Sequence, residues 1–201
     1  MRPMSAVQFA ALCCAIVAPT LAAQTQAGSV TVPPAARQIS AAVTALPAEL
    51  RAGAAVLGYS PQNKLVSLRA GQNDMICLAQ PVADTSFHSA CYHKSMEPFM
   101  ARGRELREQG VKGGQVDTVR FAEVKSGKLK MPTQATMLYQ IFGGKFDPAT
   151  EKVTGGEWLY VTYIPFATPA TTGLSAKPSQ KGPWIMYPGT PKAHIMFSVG
   201  M

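Results

Sequence analysis

Charge is scarce in this chain: Asp, Glu, Lys and Arg supply 15% of its 201 residues, while 47% are hydrophobic. Histidine is scarcer, with three copies. After the N-terminal apolar run, no segment approaches the roughly 18 continuous apolar residues that a spanning helix needs, so no transmembrane segment is expected in the mature chain. Familiar catalytic signatures are missing as well. The chain has no G-x-S-x-G, no H-E-x-x-H, no S-x-x-K and no phosphate-binding loop pattern. It has no C-x-x-C-H for covalent haem, and no C-x-x-C or H-x-x-x-H pair that would set two metal ligands on one turn. There is no internal repeat and no second domain. These absences leave a globular composition with enough length for one core, and few titratable groups to mark out a reaction.

The N-terminus points to a compartment. Arg2 precedes a mostly apolar stretch, Ala6 to Leu21, that ends in small residues before Gln24-Thr25-Gln26, the pattern of a cleavable secretory signal. Residues 1–22 are therefore expected to be removed, taking Cys13 and Cys14 with them, and the mature protein is expected to be soluble and exported, periplasmic or extracellular. Residues 23–34, polar and small with Pro33-Pro34, read as a flexible lead-in. Residues 35–201 form a single domain. Loss of Arg2 with the signal lowers the formal net charge from +8 to +7. A basic exported protein can meet polyanions, but Arg102, Arg104 and Arg107 interleave with Glu97, Glu105 and Glu108 as on a solvated helix face. The denser group Lys125, Lys128 and Lys130 reads the same way. No specific nucleic-acid binding is expected.

Along the domain, Ala35 to Leu46 carries Ile39, Val43 and Leu46 at helical spacing and stops at Pro47. Three short strands follow, Ala54–Tyr59, Lys64–Ala70 and Met75–Ala79, divided by turn residues and read as a three-stranded antiparallel meander. Pro81 to Ser95 reads as an irregular stretch. Ser95 then caps a helix with Pro98 in its first turn and Gly110 past its end. Its stripe Met96, Phe99, Gly103 and Leu106 should lie on the sheet as a lid. Asp117 and Gly127 suggest the cap and stop of a second short helix. Ala135–Phe142 and Glu157–Phe166 form a long hairpin, with the second strand central and covered on both faces. Ala167 to Pro183, rich in Thr, Pro and Gly, is longer than an ordinary connection, a length associated with function or disorder. Trp184–Tyr187 and Lys192–Ser198 complete the sheet. The fold class is α+β, mainly antiparallel and covered by helices.

Three kinds of chemistry are open. Cys77 and Cys91, in an oxidising compartment, suit a structural disulfide tying the third strand to the start of the lid. The same cysteines with His88 and His93 are the right residue types for tetrahedral zinc, and with Met96 and Met100 for copper(I); this soft-metal site is the alternative. A hydrolase-like enzyme using His194 or His93 with a distant Ser and Asp is a further alternative. Tyr160, Tyr163, Trp184, Tyr187 and His194 could line a groove for a peptide or glycan beside the long Thr/Pro loop. The reading adopted is an extracytoplasmic binding or envelope-associated domain without catalysis and without a cofactor.

Two blocks, Tyr92 to Gly103 (YHKSMEPFMARG) and Pro183 to Met196 (PWIMYPGTPKAHIM), resemble segments of an uncharacterised group of exported bacterial proteins. The resemblance spans most of the mature chain. It implies export and a bacterial source, and it assigns no activity and no functional residue.

Overall fold

The computed structural model describes residues 31–199. The expected signal segment and most of the lead-in lie outside them. Two N-terminal helical pieces, α1 (Ala35–Ala42), continued as a 3-10 turn over Val43–Ala45, and α2 (Ala48–Arg51), precede strands β1 (Ala55–Tyr59), β2 (Leu65–Arg69), β3 (Met75–Leu78) and β4 (His88–His93). Helices α3 (Glu97–Glu108) and α4 (Gln115–Lys125) follow, then β5 (Thr136–Phe142), the small strands β6 (Lys145–Asp147) and β7 (Lys152–Thr154), and β8 (Glu157–Tyr163). The short helix α5 (Pro169–Thr172) leads to β9 (Trp184–Met186) and β10 (His194–Val199). No helix among the described residues is long and apolar enough to cross a membrane.

Eight strands make one mixed sheet in the order β2-β1-β3-β4-β5-β8-β10-β9. The α+β, mostly antiparallel expectation agrees with it; the meander does not. β3 returns past β2 to pair with β1 in parallel, Val56 opposite Cys77. Burial explains the order. β2 is exposed or half-exposed along its length and suits an edge, whereas β1 and β3 carry buried Val56, Met75 and Cys77 that belong beneath α1. The return is clamped by Gly53, whose carbonyl accepts from the N–H groups of Gln72 and Asn73, and by Asn73 Nδ2, which donates to the Leu50 carbonyl.

The stretch expected to be irregular contains β4, in the middle of the sheet. Its four inner residues, Ser89, Ala90, Cys91 and Tyr92, are all buried. Both faces are covered, so no two-residue alternation announces the strand. Cys77 and Cys91 lie opposite one another on β3 and β4 and form a disulfide, both without exposed surface. The bond therefore pins two neighbouring strands rather than tying a strand to the lid.

Alternation along the strands separates two faces. One packs under α1, its 3-10 extension and the β6–β7 ear, with Leu46, Val56, Cys91 and Ile141 at its centre. The other packs under α3 and α4, joining Met96 and Phe99 to Tyr92, Leu138, Val161 and Tyr163. The predicted stripe on α3 faces inward as expected, since Met96, Phe99, Gly103 and Leu106 are buried. Gly103 has a specific reason: a Cβ there would stand 2.8 Å from Arg120 Nη1, which crosses from α4 to donate to the Phe99 carbonyl. The helix caps differ from expectation. His93 Nδ1, not Ser95, accepts at the start of the 3-10 turn Lys94–Met96 that leads into α3, from the Ser95 N–H. Asp117 lies inside the first turn of α4, where it pairs with Arg120 of the same helix and with Lys192.

β5 and β8 do form the long hairpin, with the β6–β7 ear inserted at its tip. β8 is central, between β5 and β10, but its buried residues, Val161 and Tyr163, lie on one face, and Trp158, Tyr160 and Thr162 on the other are half-buried. The long Thr/Pro connection is folded: Thr168 caps α5 through a reciprocal pair with Thr171, Gly173 ends it at φ +72°, and Ile185 N–H donates to the Ser175 carbonyl.

Candidate functional site

The four predicted metal ligands do not converge. The two sulfurs are bonded to each other at 2.05 Å. His88 and His93 sit at opposite ends of β4, and each imidazole is engaged elsewhere. His88 Nε2 lies 2.7 Å from Gln140 Nε2 and accepts from it. Burial lowers its pKa, against the attraction of Asp84. His93 Nδ1 accepts from the Ser95 hydroxyl at 2.9 Å. Among the described residues no group of three or more His, Cys, Asp and Glu could hold a metal ion. The zinc and copper alternatives lose their ligand set for this physical reason: thiolate donors are consumed by the disulfide.

The histidines named for a hydrolase are likewise placed. His194, buried on β10, donates through Nδ1 to the Lys192 carbonyl at 2.7 Å, so its Nε2 keeps a lone pair. Burial lowers its pKa and Lys192 adds to that, while the bond to the Lys192 carbonyl opposes. It has no hydrogen bond to a carboxylate. His93 Nε2 is 3.7 Å from Asp74, beyond hydrogen-bond length, and Asp74 turns instead to Lys94 at 2.7 Å. The His93–Ser95 contact is local and has the form of a helix cap.

Of the five residues of the predicted groove, four divide between the two sheet faces and Tyr187 follows the end of β9. Tyr163, Trp184 and His194 belong to the face under α3 and α4: His194 lies opposite Tyr163, and Trp184 opposite Met196. Tyr160, three residues before Tyr163, points the other way. The first group packs around an ionic cluster. Lys192 Nζ donates to Asp117 Oδ2 at 2.8 Å, Arg120 pairs with the other oxygen of Asp117, and the Arg120 guanidinium stacks over Phe99 at 3.8 Å. Burial by itself would raise the Asp117 pKa, but the hydrogen bonds from Lys192 and Arg120 outweigh it and hold the carboxyl below its ordinary range. Burial also pushes Tyr163 up to about 12. Tyr187 lies over Lys192 Nζ at 4.4 Å, with its ring 5.7 Å from His194. This cluster fastens the last loop to α4.

Tyr160 belongs to a surface that sequence reasoning described only in part. Register places it between Tyr139 on β5 and Phe197 on β10. Trp158, two residues earlier, shares its face. Tyr160 meets Tyr139 edge-on at 5.6 Å and Trp158 edge-on at 6.5 Å. Met137, Thr162 and Ile195 form the next row of the same face. Tyr139 and Trp158 are tucked against the core under α1, but Tyr160, Ile195 and Phe197 join none of the buried clusters, and Phe197 is 36% exposed. Half of the α1 face is thus open and paved with aromatic side chains. At its lower end, beyond Met137 and Tyr139, is a cleft of about 740 Å³ whose wall includes Met75, His93, Ser95 and Lys130. β8 is paired on both sides over this region, by β5 and β10, whereas β9 covers the outer side of β10 only over His194–Met196, and Phe197–Val199 pair with β8 alone among the described residues. The signal for Phe197 was its alternation with Met196 on β10. The missing knowledge was which face had no helix above it.

Comparison of the chain with protein-family models, with curated proteins and with solved structures yields no match.

Proposed function

We propose that the protein is an exported, envelope-associated binding domain that holds a glycan strand on the open face of β5, β8 and β10. The observation that carries this reading is the half-exposed aromatic pavement of Tyr139, Trp158, Tyr160 and Phe197. Sugar rings present apolar C–H faces that lie against aromatic rings, while their hydroxyls reach polar groups at the rim. Here the rim groups are the Tyr160 and Thr162 hydroxyls and, in the cleft, Lys130 and His93. The disulfide is compatible with export, because such bonds persist in oxidising compartments.

Co-sedimentation of the mature protein with peptidoglycan sacculi, chitin and cellulose tests the proposal. Wild type should be retained on at least one of these polysaccharides, and the double variant Tyr160→Ser/Phe197→Ser should lose about tenfold in affinity, the loss of one stacking contact per ring. Retention that ignores the double variant, or no retention on any of the three, rules the reading out.

A further inference from the structure

Two aromatic side chains are held outward at a cost in backbone conformation. Phe166, 53% exposed, and Tyr187, 41% exposed, are the most exposed large hydrophobic residues described, and both have left-handed backbones, at φ 65° and 52°. That region is unfavourable for bulky side chains. The two positions are locked together at one corner of the sheet: Phe166 N–H donates to the Thr190 carbonyl at 2.9 Å, and Gly189 N–H to the Ala167 carbonyl at 2.8 Å. For Phe166 the strain does not serve core packing, because the side chain it positions is in solvent.

The chain segment that builds this corner carries charge of one sign. From Trp158 to Met201 the chain contains no Asp and no Glu, but it contains Lys177, Lys181 and Lys192. Lys177 and Lys181 are exposed on the connection that joins the sheet at Ser175 and Ile185. The acid that reaches the corner from α4, Asp117, is already neutralised by Lys192 and Arg120.

We infer that this corner docks on an anionic phospholipid surface, with Phe166 and Tyr187 entering the interfacial layer and Lys177 and Lys181 facing the headgroup phosphates. Aromatic residues favour that layer, and basic residues are drawn to anionic lipid within a Debye length. Two cations and two rings give reversible docking, which holds a domain at the membrane without anchoring it. The corner is distinct from the glycan face, so either assignment stands without the other.

The test is flotation of the mature protein with vesicles of phosphatidylcholine alone or mixed equally with phosphatidylglycerol. Wild type should float with the anionic vesicles, remain behind with the neutral ones, and be released by high salt. Phe166→Gly relieves the left-handed strain, so its thermal midpoint should equal or exceed that of wild type while its partitioning falls about tenfold. Lys177→Gln/Lys181→Gln should fall by a similar factor, and Tyr160→Ser/Phe197→Ser should float like wild type. Absence of flotation with anionic vesicles overturns the inference. So does binding to a soluble acidic polysaccharide that depends on the lysines and ignores Phe166, with the vesicles left empty.

Discussion

Removing the Cys77–Cys91 bond by the double substitution Cys77→Ala/Cys91→Ala should destabilise the domain by about 3 kcal/mol, the chain-entropy value for a closed loop of roughly 15 residues. The positions are 14 apart. Both cysteines are fully buried, with Cys91 Sγ close to the Ala42 carbonyl, and the unfilled volume left by their loss adds to this figure. For a domain of this size, 3 kcal/mol corresponds to a fall in thermal midpoint of about 6 to 12 °C. The assay is urea unfolding of oxidised wild type and the double variant, with a steeper denaturant slope expected for the variant because its unfolded chain is less constrained. Thiol alkylation supplies the covalent check. Native protein should resist it without reductant, and reduction should be slow until the sheet opens, since β3 and β4 are buried between layers. A loss below about 1 kcal/mol would refute the entropic argument, and rapid alkylation of the native protein would refute the bond itself.

Other substitutions probe separate parts of the fold. Asp117→Ala strands Arg120 and Lys192 without their shared partner and should cost about 3 kcal/mol, read by the same urea titration; a change indistinguishable from that of a surface carboxylate would mean the cluster does not hold the last loop. His194 and His88 have folded pKa values below the ordinary 6.5, so the stability they contribute is complete above that value and is lost as pH falls through their folded pKa values. The thermal midpoint should therefore drop on acidification below about pH 6.5, and His194→Gln should flatten part of that slope, leaving the share due to His88. Asp117 acts at lower pH: its stabilisation is present above the ordinary value of 3.8 and is lost as pH falls through its lowered folded value. Gly144→Ala places a Cβ 2.4 Å from the Thr154 carbonyl oxygen at a φ of +70°, so faster amide exchange confined to the β6–β7 ear is the expected readout.

Legibility in the sequence followed local period and failed where long-range pairing decides. The α3 stripe was readable because Met96, Phe99 and Leu106 repeat at helical spacing against polar neighbours. β5 and β8 were readable from β-branched and aromatic runs around Gly143-Gly144. β4 was not, because His88-Ser89-Ala90-Cys91-Tyr92-His93 has small residues buried on both faces and no alternation. The placement of β3 beside β1 depends on which strand tolerates an edge, a comparison of burial that neighbouring residues do not encode. The same limit applies to the surface proposed for binding. Tyr160 was recognisable as a candidate, yet its grouping with Tyr163 and His194 joined side chains on opposite faces. Phe197 was passed over because an aromatic residue in a strand looks like core until the layer above it is known. The cysteine pair was placed correctly as a bond, while its partners in the sheet were not.

Trp158 stands at the edge of the open face, and Trp184 is buried on the other, so the variant Trp184→Phe carries a single tryptophan reporter beside Tyr160. Titrating it with soluble glycan chains released from peptidoglycan, and following the tryptophan emission, addresses the proposed binding surface directly. A saturable change that Tyr160→Ser removes is the predicted result. Unchanged emission over a range in which the same glycan demonstrably binds the protein would place the ligand elsewhere and contradict the assignment of the open face.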